Sequence, residues 1–273
     1  MLTLLLTTAA ASLAVMLVAF AAGVALGRHK GVDVAWGLGF AAVAVATAAL
    51  NADRPMAWLA AGLTVVWGLR LSIHIGRQAG RHPGEDPRYA ELLSKGKGNR
   101  TWYALRSVYL LQWIILWFVS LPVQVAAHYA PLNAFAVIGV AIWAVGLFFE
   151  AVGDAQLARF RADPASKGKV LDTGLWHYTR HPNYFGDACV WWGLFALAAL
   201  HWTGWLTVLS PMLMTWFLAG KTGKPLMEKH LSATRPGYAE YVARTSGFFP
   251  GRPGVYEHST VLPVLGTSSP MTG

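Results

Sequence analysis

The chain reads as an all-α, polytopic membrane protein, a bundle of seven crossing helices, and three observations predict it. Hydrophobic residues fill 55% of its 273 positions and charged residues only 13%, where a soluble domain carries roughly 25% charged residues. Seven apolar windows come near the ~20 residues that cross a bilayer. Basic residues gather on alternate connections between those windows. Lipid gives a backbone no hydrogen-bond partner, and no alternating barrel pattern is present, so the crossing elements are helices.

The windows lie near 2–26, 32–50, 56–76, 107–129, 132–153, 184–201 and 203–220. The first lacks a basic leader and is too long for a signal peptide, which makes it a retained helix. Lys and Arg number two at 28–30, seven at 77–106, five at 159–180 and six at 221–252, with Arg54 alone on the opposite connections. The positive-inside rule then sets the N-terminus outside and the C-terminus in the cytoplasm. The net charge of +9 is topology plus an anion held by the inner loops, not a nucleic-acid signal. The single cysteine, Cys189, allows no intrachain disulfide and no cysteine-based metal site. We expect one membrane domain over residues 1–250, no metal, and a flexible tail over 251–273. The Ala- and Gly-rich composition points to a bacterial inner membrane.

Taken in order, the first helix offers only Ser and Thr as polar groups and serves packing or anchoring. The second opens with Asp33, which either caps the helix or meets a substrate beside Trp36. The third ends in Arg70, His74 and Arg77, which share one face. Arg77 is placed to snorkel, whereas Arg70 lies deeper, where an arginine needs a carboxylate or a ligand. Glu150 and Asp154, on one face at the inner end of helix five, are its expected partners. A long inner loop at 77–106 holds Pro-Gly-Glu-Asp-Pro-Arg-Tyr and a short helical turn near Ala90–Ser94. Helix four carries Gln112, Trp113, Trp117, Ser120 and Gln124 and is kinked at Pro122. After 221 a surface helix over 225–243 breaks at Arg235-Pro236-Gly237.

The densest polar stretch is Gly-Leu-Trp-His-Tyr-Thr-Arg-His-Pro-Asn-Tyr-Phe-Gly-Asp at 174–187. Such a cluster at the mouth of an apolar helix is costly unless it binds something. Residues 175–187 resemble the signature shared by steroid 5-alpha-reductases and sterol C14-type reductases. Glu228-Lys229-His230, Pro236-Gly237-Tyr238-Ala239-Glu240-Tyr241 and Phe248-Phe249-Pro250 are similar to their C-terminal signature. Asp33-Val34-Ala35-Trp36-Gly37-Leu38-Gly39-Phe40 and Trp67-Gly68-Leu69-Arg70-Leu71 resemble the bacterial branch of the same superfamily.

That resemblance implies a seven-helix oxidoreductase that binds NADPH from the cytoplasm and reduces a carbon–carbon double bond in a steroid or other lipid. It assigns Arg180, Asn183, Tyr184 and Asp187 to the cofactor, beside Trp176, Tyr178 and His181 of the same stretch. Glu228, His230, Tyr238 and Tyr241 close the cofactor from the C-terminal side. Arginine forks suit phosphates, and no Gly-x-Gly-x-x-Gly follows a strand, so the cofactor lies among helices rather than on a Rossmann sheet. Arg70, His74 and Glu150 are the candidates for catalysis, with His74 the proton donor or else a packing histidine. The acid of helix two and tyrosine of helix three that polarise a steroid ketone are not matched, since helix three has no tyrosine. Two other readings stand beside this one. Membrane isoprenylcysteine methyltransferases carry a similar Arg-His-Pro-x-Tyr pattern and bind S-adenosylmethionine, and a non-enzymatic lipid-binding protein needs no nucleotide.

Overall fold

The computed structural model describes residues 1–81, 84–221 and 223–254. Among them every regular element is helical. Five helices are long and apolar enough to cross a membrane: α1 (Leu2–Leu26), α2 (Gly31–Leu50), α3 (Pro55–Gly80), and, after the short α4 (Pro87–Ser94), α5 (Arg100–Tyr129) and α6 (Ala136–Ala162). The chain is an integral membrane protein on that evidence. It continues with α7 (Pro182–Ala198), α8 (Leu209–Trp216), α9 (Lys224–Thr234) and α10 (Tyr238–Arg244).

The sixth and seventh apolar windows take a different form from the other five. Pro182 starts α7 at its first turn, and the helix runs for 17 residues. Eleven of these are buried, so neighbouring helices rather than lipid cover it. The chain then turns through a tight 3-10 segment, Trp202–Thr207, enters the 8-residue α8 and leaves by a π turn, Phe217–Lys221.

Helix–helix contact in lipid depends on close packing and polar contacts, because lipid tails are as apolar as leucine. Both devices are present. At the α6–α7 crossing a Cβ on Gly186 would lie 2.5 Å from the Gly146 carbonyl oxygen, so only glycine lets these backbones meet. At the α2–α3 crossing Gly68 faces the Gly37 carbonyl in the same way, and Ser72 Oγ donates to Val34 O at 2.8 Å. Trp67 packs edge to face on Phe40 and on Trp191, and Phe40 and Trp191 meet at a tilt, with centroids 4.5–5.4 Å apart, which ties α2, α3 and α7 together. Each such pair adds about 0.5–1.5 kcal/mol beyond its buried area.

Only 17% of the α1 window is buried, so most of it meets lipid. A polar ladder along one face holds it. Thr8 Oγ1 donates to Gln124 Oε1 at 2.7 Å, Trp117 Nε1 donates to Thr8 Oγ1, and Trp113 Nε1 donates to the Ala9 carbonyl. Trp113, Trp117 and Gln124 of α5 thus serve α1. The kink expected at Pro122 falls at Ser120, where one α segment ends and the next begins, and a π turn at Leu105–Leu110 adds a second irregularity.

The loops expected on the inner side are more ordered than the sequence suggests. The helical turn expected at 90–94 is a full helix from Pro87, capped by Asp86, whose carboxylate accepts from Arg88 N. The break near 235–237 falls where expected, with Gly237 at φ 78° separating α9 from α10. Residues 251–254 are tied back, since Gly251 N donates to Tyr178 O and Gly254 N to Arg244 O. The rest of the expected tail, 255–273, lies outside the described residues.

Candidate active site

The signature stretch forms a 3-10 turn at Gly174–His177, an irregular strap over Tyr178–Arg180, and the entry to α7. The strap lies along the C-terminal segment. Arg180 N donates to Ser246 O, Gly251 N to Tyr178 O, and Thr179 Oγ1 to Phe248 O. Arg180 is spent largely on this clamp. Its Nε donates to Glu228 Oε1 at 2.8 Å, and its Nη1 to the Val242 and Thr245 carbonyls at 2.9 and 2.7 Å. Glu228 also accepts from His181 Nε2 at 3.2 Å. Burial drives the His181 imidazole down to about 4 despite the Glu228 carboxylate, so the ring is neutral near pH 7. Its face stacks on Tyr184, centroids 5.3 Å apart and planes 5° from parallel.

Between this strap, the end of α6 and helices α9 and α10 lies a cavity of about 160 Å³. It gathers Trp176, Arg180, His181, Asn183, Tyr184, Tyr238 and Tyr241 from the residues expected to hold a cofactor. Their polar groups are not equally free. Trp176 Nε1 is bound to Gly153 O, and Tyr241 OH donates to Trp176 O at 2.5 Å. Tyr184 and Tyr238 hydroxyls have no partner among the described residues. Burial pushes the Tyr238 phenol up to about 12, so at neutral pH it is a donor. Tyr178 turns away from the cavity. With His177 it lines an open groove of about 440 Å³ beside Phe148 and Val152 of α6. The His230 side chain lies outside the described residues.

Three cations complete the cavity wall: Arg161 from the last turn of α6, Lys169 from the following loop, and Arg235 at the end of α9. The sequence reading did not single these out. Each is one basic residue among many on inner loops, and only the fold shows that three of them converge.

Deeper in the bundle the expected Arg70 pair is a larger cluster. Arg70 Nη2 donates to Glu150 Oε1 at 2.6 Å, and Nη1 and Nη2 donate to Asp154 Oδ2 at 2.8 and 3.0 Å. Trp67 Nε1 donates to Glu150 Oε2 at 2.7 Å. His74 Nε2 stands 3.6 Å from Asp154 Oδ2. Asn183 Nδ2 donates to Asp154 Oδ1 at 3.1 Å, which joins this cluster to the cavity that Asn183 lines. Asp187, one turn further along α7, is 8% exposed, and its Oδ1 has no hydrogen-bond partner. The neighbouring indole N–H of Trp191 lies outside bonding geometry.

A third polar group holds the long loop between α3 and α5. Asp33 accepts from Tyr89 OH and from Arg88 Nη2, and Gln112 Nε2 reaches Tyr89 OH at 3.4 Å. Trp36 Nε1 donates to Gln112 Oε1. Glu85 accepts from the backbone N–H groups of His29 and Lys30 at 2.5 and 2.9 Å. Asp33 therefore fastens α4 to α2 rather than capping α2 with its side chain. Its tyrosine comes from α4, which sequence spacing along helix three could not reveal.

The family model described as "Protein of unknown function (DUF1295)" matches residues 19–245, most of the chain. No curated protein and no solved structure matches it.

Proposed function

From the premise that this chain belongs to the DUF1295 family, we propose that it is an integral membrane oxidoreductase that uses NADPH to reduce a carbon–carbon double bond in a lipid. The family is related in general terms to steroid 5-alpha-reductase-like membrane proteins. The observation that carries the reading is the cavity under α9 and α10, where cations, free phenols and a stacked aromatic pair converge on one small space. That donor set suits an anionic, flat-ringed nucleotide.

In this reading α7 and α8 complete seven crossings, with the N-terminus outside, the C-terminus in the cytoplasm, and the cavity opening to the cytoplasm of a bacterial inner membrane. When bound, NADPH supplies the hydride. Tyr184 and Tyr238 donate hydrogen bonds into the site, and the His181–Tyr184 stack forms a wall for a ring. Arg180 and Glu228 hold the strap that shapes the floor. Asn183 relays the position of the site to Asp154 and Arg70. His74, beside Asp154, is placed to move a proton between the inner loops and the bundle centre. Small-molecule sites span about 300–1,000 Å³, so a whole dinucleotide requires α9 and α10 to move outward.

The test is the melting temperature of detergent-solubilised protein with NADPH or with S-adenosylmethionine. A ligand at 100 times its Kd stabilises by about 2.7 kcal/mol. The reading requires a rise with NADPH. A rise with S-adenosylmethionine alone would replace it with the methyltransferase reading, and a rise with neither would favour a lipid-binding protein.

A further inference from the structure

The charges around the cavity do not balance, and the imbalance is local. Arg180 is neutralised by Glu228. Asp154 is taken by Arg70 and Asn183, and Asp172 by Arg244. Arg161, Lys169 and Arg235 have no side-chain hydrogen bond or ion pair among the described residues, and Arg161 and Arg235 are close enough to repel. Three like charges from three separate elements thus face one space of about 160 Å³. Arg161 and Lys169 are exposed and Arg235 is half-buried, so the wall they form is open to solvent. They share their cavity with Tyr184 and Tyr238, whose hydroxyls have no hydrogen-bond partner among the described residues. The nearest carboxylates, Asp154 beside Arg161 and Glu228 beside Tyr238, are already held by Arg70 and Arg180, so the three cations outnumber the acids at this wall, a donor set that matches the oxygens of a phosphate.

We propose that Arg161, Lys169 and Arg235, with Tyr184 and Tyr238, bind a terminal phosphate dianion, and that Arg180 is a positioning residue outside that contact. The inference rests on the reductase reading only for the source of the phosphate. A nucleotide bearing a ribose phosphate is the source that reading requires, and the phosphate headgroup of an inner-leaflet lipid has the same chemistry. A three-cation site separates a dianion from the singly charged bridging phosphates common to NADPH and NADH. It therefore confers selectivity between the two dinucleotides.

The experiment measures melting temperature and affinity of the full chain in lipid nanodiscs with four probes: NADPH, NADH, adenosine 2′-phosphate, and phosphatidic acid built into the disc. NADPH is expected to bind about tenfold or more tighter than NADH, the size of one charge-assisted hydrogen bond or more. Adenosine 2′-phosphate alone is expected to raise the melting temperature, less so as salt is added. Arg161→Gln and Arg235→Gln should each bring NADPH affinity down towards that of NADH and leave NADH affinity unchanged. Arg180→Gln should lower the melting temperature of the unliganded protein and keep the NADPH-to-NADH ratio.

Stabilisation by phosphatidic acid and not by adenosine 2′-phosphate would uphold the phosphate site, assign it to a lipid and remove its support for the nucleotide reading. Equal affinities for NADPH and NADH, with no response to either phosphate probe, would overturn the inference while leaving a reductase in place. If either glutamine variant melts far below the wild type, the four wild-type probes still decide.

Discussion

Asn183 and Asp154 are joined across the α6–α7 crossing by a 3.1 Å hydrogen bond from carboxamide to carboxylate. One partner lines the cavity and the other belongs to the buried Arg70 cluster. The two sites are therefore one polar network, joined through this hydrogen bond. Replacing Asn183 by Ala should cost about 1.5–3 kcal/mol, the range for hydrogen bonds to charged groups, and should weaken nucleotide binding as Asp154 loses one of its anchors. Thermal unfolding together with nucleotide titration checks both. Full stability with lost binding would make Asn183 a direct ligand and not a relay.

The Arg70 cluster gives a sharper expectation. Arg70 is 20% exposed and holds two carboxylates that are almost wholly enclosed. Removing one partner of a buried pair strands a charge and costs about 3–5 kcal/mol. Arg70→Ala should thus lower the folded yield severely, and adding Glu150→Gln should recover part of it. An Arg70→Ala protein as stable as the wild type would show that the guanidinium does not hold these helices.

His181 predicts a pH dependence. Burial lowers its folded pKa to about 4, below the usual 6.5. Both states are neutral above 6.5, where the group contributes nothing to the slope. Between 6.5 and 4 the unfolded chain binds a proton that the folded one refuses, so stability falls with pH by about 1.4 kcal/mol per unit at most. The melting temperature should decline across that window, and His181→Gln should flatten the decline. An unchanged slope in the variant would place the pH sensitivity elsewhere.

The seven-crossing topology is tested by tags. A tag at the C-terminus should be reached only from the cytoplasm, and one placed before Thr3 only from outside. Both on the same side would leave an even number of crossings and exclude either α7 or the α8 segment as a span.

The five long helices could be read from hydropathy because each has to satisfy a bilayer by its own length. The window at 184–201 located α7 to within three residues at each end, but not its enclosure, since a helix covered by its neighbours keeps the same apolar composition. The pairing of Arg70 with Glu150 and Asp154 was legible for a different reason: an intramembrane cation has few ways to persist, and helix periodicity put both acids on one face. Arg180 shows the opposite case. An arginine in a binding signature looks the same in sequence whether its fork meets a phosphate or the carbonyls of Val242 and Thr245. Arg161, Lys169 and Arg235 stayed hidden because the rule that orients the bundle already accounts for basic residues on inner loops. The Asp33–Tyr89 contact needed the loop's own fold, which no local pattern encodes.

Glu85 ties the turn leading into α2 to a carboxylate that lies 55 and 56 residues further along the chain. During synthesis, therefore, the first hairpin must enter the membrane with that turn still hydrated, and α3 must be threaded across before the carboxylate arrives to fasten it. The rim formed by that turn and the loop bearing Glu85 closes last, in the order of translation. A Glu85→Gln protein should accordingly insert with normal topology and fail later, as a correctly threaded chain whose inner loop stays open to protease.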